Sequence, residues 1–286
     1  MEINRNYRTD LASEAERLAR NGEYDLSPLP GVEAKEEQRG DCSLFHVRVL
    51  DEEGAQRLGK SIGRYCTLEA PQFVSRGDSR FTSLAETAAD LIRSFLGDLQ
   101  GPYLVVGLGN GEITPDALGP LTTARVLATR HLKLISHPLF VDFSEVSVCT
   151  PGVLGSSGLE ASLQVGALCR EIHPACVLAV DALAGAEAKR LCRTLQITDS
   201  GIAPGSGVGN DRASLSFATL GVPVFALGVP TVIDASYLGD STFRGMFLTP
   251  KDIDRSVHNS ASFISCALNL ALHPGLTLEE LATLQD

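Results

Sequence analysis

The sequence predicts a single three-layer α/β domain, with a parallel or mixed sheet covered by helices on both sides. Three observations predict it. Unbroken apolar runs at 103–106, 176–180 and 222–229 are what strands buried on both faces look like. Helix-compatible stretches separate these runs, so strand and helix alternate along the chain. The length of 286 residues and an apolar fraction of 44% suit a compact domain with a sizeable core.

The elements follow in order. Residues 1–40 are polar, with a Pro- and Gly-containing break at 26–31. Asp10 is placed to cap a short helix over 11–20, on which Leu11, Ala15, Leu18 and Ala19 share a face. Leu44, His46, Val47 and Val49 mark a strand over 43–50. A loop at 71–82 precedes a helix over 83–99, with Leu84, Ala88, Leu91, Ile92 and Leu96 on one side. The run at 103–106 leads through a glycine loop into a helix over 115–129. The run at 176–180 is followed by a helix-compatible stretch, 182–195. The third run ends at Pro230, and a helix over 253–272 closes the domain.

Composition removes several classes of function. The net charge is −11 and no Lys/Arg-rich run occurs, so a nucleic-acid footprint is absent. The seven cysteines contain no C-x-x-C, which excludes zinc ribbons and thioredoxin-like sites and fits reduced thiols. The six histidines show no metal-ligand spacing, and no metal or cofactor is expected. Neither a leader-like apolar segment nor a membrane-length run is present, so a cytoplasmic protein without membrane contact is expected.

Two acids stand where chemistry is done in α/β proteins. In Gly107-Leu108-Gly109-Asn110-Gly111-Glu112-Ile113-Thr114-Pro115-Asp116, Thr114 is placed as a helix cap and Pro115 as the first helical residue. Asp116 then falls in the first turn, where the helix dipole favours a carboxylate. A nucleotide-binding reading of these glycines fits poorly: the spacing is wrong, and no acid ends a second strand about 20 residues on. In Val177-Leu178-Ala179-Val180-Asp181, an acid directly follows an apolar run. Ligands of open α/β sheets bind beyond the carboxyl ends of strands, and both acids come to that edge. Two converging carboxylates, one ionised and one holding a proton, can activate a water and protonate a leaving amine. Each acid taken alone is equally well a helix-start or strand-end residue.

A glycine-rich stretch, 197–212, has a backbone able to approach a substrate closely, and it reads equally as a surface loop. Asn110, Thr114, His131, Asp199, Gly207, Asn210 and Arg212 are the candidates to line a substrate loop or to orient the two acids.

Arg8-Thr9-Asp10-Leu11-Ala12, Gly63-Arg64-Tyr65-Cys66-Thr67-Leu68-Glu69, the Asp116 motif, Arg130-His131-Leu132, Pro151-Gly152-Val153-Leu154-Gly155, the Asp181 motif, Asp199-Ser200-Gly201-Ile202, Pro204-Gly205-Ser206-Gly207-Val208-Gly209-Asn210, Gly228-Val229-Pro230-Thr231 and Leu248-Thr249-Pro250-Lys251-Asp252 occur in that order. Together they resemble the spore germination protease family from near residue 8 to near residue 272. The resemblance implies an atypical aspartic endopeptidase that degrades small acid-soluble spore proteins in the spore core, with Asp116 and Asp181 as its essential acids. It implies a self-processing zymogen whose propeptide is residues 1–10, cut between Asp10 and Leu11, followed by one peptidase domain over 11–286. It also implies a homotetramer, and a fold similar to that of hydrogenase maturation endopeptidases. The polar residues 1–10 are expected to cross the surface and be reachable. One departure stands out: the connection at 236–245 is short where family members carry a long insertion. The alternatives are a metal-assisted maturation-type endopeptidase ligated by Asp116 and Asp181, and a non-catalytic protein that binds spore proteins.

Overall fold

A computed structural model describes residues 9–20, 29–71, 73–135, 138–205, 213–235, 243 and 245–285. The strands are β1 (Val32–Arg39), β2 (Cys42–Val49), β3 (Gly63–Glu69), β4 (Tyr103–Gly107), β5 (Val146–Cys149), β6 (Cys176–Gly185), β7 (Thr194–Thr198), β8 (Val224–Asp234) and β9 (Phe247–Leu248). The helices are α1 (Ala12–Ala19), α2 (Glu52–Leu58), α3 (Phe81–Leu96), α4 (Leu118–Thr123), α5 (Arg130–Leu134), α6 (Leu154–Ser157), α7 (Ala161–Ile172), α8 (Phe217–Leu220), α9 (Ile253–Leu272) and α10 (Leu278–Gln285).

The sheet is mixed, in the order β1-β2-β3-β7-β8-β6-β4-β5, with β9 beside β8. Strands β5, β4, β6 and β8 are mutually parallel, and the other pairings are antiparallel. The three buried apolar runs of the sequence are β4, β6 and β8, as strands covered on both faces should be.

Alternation along the strands divides the core into layers. Tyr103, Val105, Leu178, Val180, Leu195, Ile197, Phe225 and Leu227 face one side, where α3 and α9 bury Ala88, Ile92, Phe263 and Ala267. On the opposite side, Leu104, Val106, Val177 and Ala179 pack against Val165 and Cys169 of α7. Farther along that same side, Val47, Val49 and Tyr65 meet Ala12 and Ala15 of α1. These two covers leave part of the sheet between them bare of apolar packing.

Several expected elements are changed by tertiary contacts. Residues 182–195 are not helical: β6 continues to Gly185 because β8 keeps pairing with it, from Asp181 opposite Gly228 to Gly185 opposite Ile233. Ladder pairing there outweighs helix propensity. Likewise β8 runs through Pro230, with a register shift at Leu183/Ala184 opposite it. The helix expected over 115–129 is a 3-10 turn, Thr114–Asp116, then the short α4. Buried Asn269 of α9 ends that stretch, its side chain accepting from the Leu127 N–H and donating to the Arg125 carbonyl. Asp10 does not cap α1. Leu11 holds the capping position, and the Asp10 carboxylate is engaged elsewhere. The polar first forty residues also supply β1, six of whose eight residues are exposed.

His273, just past α9, is 1% exposed, and burial pushes its imidazole pKa down to about 4. The unfolded chain therefore binds the extra proton first as pH falls. Stability contributed by neutral His273 is present above pH ~6.5 and is lost toward pH ~4, by about 3 kcal/mol in total. His273→Phe is expected to flatten that loss in urea melts recorded from pH 7 to 4. An unchanged slope would contradict the assignment.

Candidate active site

Asp116 is placed by a tight loop beyond β4. Its Oδ2 accepts from the Asn110 N–H at 2.8 Å, its own N–H donates to the Ile113 carbonyl at 2.8 Å, and Thr231 of β8 donates to the Pro115 carbonyl at 2.7 Å. Gly109 has φ +104, and a Cβ there would lie 2.1 Å from the Asp116 carbonyl oxygen. At Gly119 a Cβ would meet the Leu108 and Val180 carbonyl oxygens at 2.2 and 2.6 Å. The glycines that resemble a nucleotide loop thus let the Asp116 turn and the start of α4 close onto the ends of β4 and β6.

Asp181 sits inside β6, not just after it as the sequence suggested. Strand β4 ends with Gly107 opposite Val180, while β6 runs on to Gly185. The β4-side edge of β6 is therefore open to another chain. Asp181 is 4% exposed and lies on the sheet face that the α7 and α1 covers leave bare. It pairs with Gly228, which pairs on its other side with Gln196 of β7, so Asp181 and Gln196 flank a residue without a side chain.

A cavity of about 250 Å³ opens over this patch, with Asp181, Gln196, Thr198, Lys60 and Asp10 in its lining. Asp10 fills the place β4 would have taken. Its N–H donates to the Ala184 carbonyl at 2.8 Å, and its carboxylate Oδ2 accepts from the Ala184 N–H at 2.8 Å. Gln196 grips the chain on both sides of Leu11, donating to the Asp10 carbonyl at 2.9 Å and accepting from the Ala12 N–H at 2.7 Å. Leu11 is fully buried and Asp10, half-buried, lines the cavity, so this segment does not cross the surface as the sequence suggested. Residues 1–8 lie outside the described residues.

The other candidates fall in different places. Asn110 works through its backbone on Asp116, and its side chain accepts from the Glu112 N–H. Thr114 opens the 3-10 turn, with Ile113 in the capping position instead. His131 is exposed near the start of the short α5, not at a helix end. Asp199 is held by Arg64, 2.6 Å from its Nε and 2.6 Å from its backbone N–H. Gly207, Asn210 and Arg212 lie outside the described residues. Sequence reasoning missed Gln196, Lys60 and Ala184. Gln196 had a signal, a polar residue at an inward position of an apolar strand, but it fell between the helix-compatible stretch ending at 195 and the glycine-rich stretch beginning at 197, and no strand was read there.

The germination protease family model matches residues 9–247. The chain belongs to the germination protease family. A germination protease of Caldanaerobacter subterraneus subsp. tengcongensis is 37% identical over 318 residues, covering 96% of each chain. One of Clostridium tetani is 36% identical over 321 residues, covering 96% of this chain and 98% of that one. One of Priestia megaterium is 40% identical over 243 residues, covering 82% of this chain and 65% of that one. The first alignment spans 318 positions against a chain of 286, so that relative carries residues this one lacks. The connection expected to be shortened falls mostly outside the described residues.

Family membership makes this a member of a peptidase family. Burial pushes Cys66, Cys176 and Cys192 up to about 12, keeping them protonated. Among the described residues no group of three or more His, Cys, Asp or Glu is gathered to hold a metal ion. Among them, too, no helix is long and apolar enough to cross a membrane.

Proposed function

We propose that this chain is an aspartic endopeptidase that degrades small acid-soluble spore proteins at germination, and that it is made as a zymogen which cuts its own Asp10–Leu11 bond. Residues 1–10 are then the propeptide and 11–286 the peptidase domain. The observation that carries this reading is that Asp181 and Asp10 line one cavity, with Gln196 of the same lining bonded to the backbone on both sides of Leu11. In the reaction, Asp116 and Asp181 take a proton from water as its oxygen adds to the Asp10 carbonyl carbon. The C–N bond then breaks and the proton passes to the Leu11 nitrogen, leaving a carboxylate and a free amine. In this reading the homologous segment of a spore protein later enters the same cavity. The spore core as location and a homotetramer as assembly belong to the same proposal.

The test is incubation of the purified chain with small acid-soluble spore proteins, alongside sequencing of its own N-terminus. The expected outcome is a new Leu11 terminus and fragmentation of the spore proteins. A spore protein bound but left intact would favour the non-catalytic alternative. Cleavage that a chelator abolishes would favour the metal-assisted one.

A further inference from the structure

Gln196 holds the chain on both sides of Leu11, and one of its bonds falls on the atom that must take up charge when the 10–11 bond is cut. Leu11 is extended, at φ −79 and ψ 120, so the Asp10 carbonyl and the Ala12 N–H point the same way. The side-chain amide of Gln196 answers both, donating from Nε2 to the carbonyl at 2.9 Å and accepting at Oε1 from the N–H at 2.7 Å. These partners fix which way round the amide sits. A backbone N–H can only donate and a carbonyl can only accept, so Oε1 faces Ala12 and the amide donor faces the Asp10 oxygen. The donor is held in the sheet and shielded from water. Gln196 is 5% exposed, and its backbone pairs with Thr67 of β3 on one side and Gly228 of β8 on the other. Asp181 is the other neighbour of Gly228, so it rises on the same face, two strand spacings or about 10 Å from Gln196 at the backbone. Leu183 covers Gly228 between them, and a hydrogen bond to a charged oxygen is stronger over such an apolar floor than in water.

We propose that Gln196 is a catalytic residue of this peptidase, whose side-chain N–H stabilises the oxyanion formed at the carbonyl of the bond to be cut, in this chain's own Asp10 and in the proteins it acts on. The inference deepens the reading given under Proposed function and rests on cleavage at the 10–11 bond. As the water oxygen bonds to the Asp10 carbonyl carbon, the carbonyl π pair moves onto its oxygen and the water proton passes to the aspartates. The bond from Nε2 strengthens as that charge forms, which lowers the barrier instead of merely holding the segment. The pair then returns, the C–N bond breaks, and the Leu11 nitrogen takes the proton. Throughout, the Oε1 bond to Ala12 keeps the amide donor turned toward the carbonyl.

The test separates stabilising charge from holding the chain. Gln196→Met keeps the length of the side chain and removes the donor. Trimming, followed in the full chain as the rate at which the Leu11 terminus appears, is expected to fall by about a hundredfold or more, the loss that removing one such donor brings. Docking of the segment is read separately, in the non-cleaving Asp181→Asn background, from hydrogen exchange at the Ala184 amide that donates to the Asp10 carboxylate. Its protection is expected to fall by less than about tenfold in Gln196→Met, which also shows that the variant is folded. A residue that only holds the segment would lower protection and trimming by the same factor. Equal losses therefore overturn the proposal, as does trimming within about tenfold of wild type. In the same background the carbonyl carbon resonance of Asp10 is expected to move upfield in Gln196→Met, as a carbonyl does on losing a hydrogen-bond donor. An unmoved resonance overturns the proposal whatever the chain cleaves. If wild type degrades spore proteins but never trims itself, the reading of self-processing falls. The same hundredfold loss is then expected in kcat on spore proteins with KM changed less than about tenfold, and wild-type kcat in Gln196→Met overturns the proposal.

Discussion

Asp181→Asn and Asp116→Asn are each expected to lower cleavage by about a thousandfold or more, and the double variant to be no worse than either. The reason is that two groups sharing one proton-transfer task act as a unit. The substitutions keep shape, so the fold should survive them. At position 116 the Asn carbonyl oxygen can still accept from the Asn110 N–H that holds the loop. At position 181 the residue is almost wholly buried, so replacing a carboxylate by an amide removes a desolvated charge rather than a packing contact. Urea midpoints for both variants should therefore lie within about 1 kcal/mol of wild type, a typical size for a conservative change. The checks are mass spectrometry for the Leu11 terminus and gel analysis of spore-protein fragments. Wild-type turnover in either variant would end the two-aspartate assignment. Retention in Asp116→Asn alone would leave Asp181 working with a partner other than Asp116.

Much of this was legible in the residues. The α/β class, strands β4, β6 and β8, and helices α3 and α9 follow from local pattern, because a doubly covered strand and an amphipathic helix each write their burial into a few neighbouring residues. That Asp116 follows β4 and that Asp181 belongs to the β6 run was legible for the same reason. The continuation of β6 past Asp181 was not: Ala182, Leu183 and Ala184 carry helical propensity, and only pairing with β8 more than forty residues later makes them strand. Strand β1 was hidden because six of its eight residues are exposed, whereas β3 and β7 were hidden because buried Thr67, Thr194, Gln196 and Thr198 interrupt their apolar runs. The cavity partners were the least legible. Gln196, Lys60 and Asp10 lie far apart in sequence and meet only once α1 docks on the sheet, and no local pattern records that docking.

Arg190→Met should cost about 3–5 kcal/mol of stability, the usual penalty for breaking a buried charge network from one side. Arg190 is 1% exposed and is what fastens α1 to the sheet. Its guanidinium donates to Ser13 at 3.0 Å and lies 3.3 Å from Glu187, 3.3 Å from Glu69 and 3.8 Å from Glu14. Glu14 is equally buried; its carboxylate accepts from Thr9 at 2.5 Å, from the Ala186 N–H at 2.6 Å and from the Glu187 N–H at 3.1 Å. Burial still pushes the Glu14 pKa above its ordinary value, and nearby Arg190 is one of the forces holding it down. Without Arg190 that upward push grows. A carboxyl whose folded pKa is raised binds more protons folded than unfolded, so its stability is full below the unfolded pKa, near 4.5, and is lost as pH rises through the folded one. The deficit of Arg190→Met should accordingly be smaller at pH 4.5 than at pH 8, the reverse of the His273 trend. Arg190→Lys should recover only part of it, because an ammonium cannot span Ser13, Glu69 and Glu187 as a planar fork does. Helix α1 carries the Gln196-held bond into the cavity, so the same variant should slow trimming at 10–11 even under conditions where it remains folded. Urea melts at the two pH values and the trimming rate at low denaturant measure both effects. A deficit below about 1 kcal/mol, the range of exposed ion pairs, would show that water reaches the network and that α1 is held by Leu11, Ala12 and Ala15 alone.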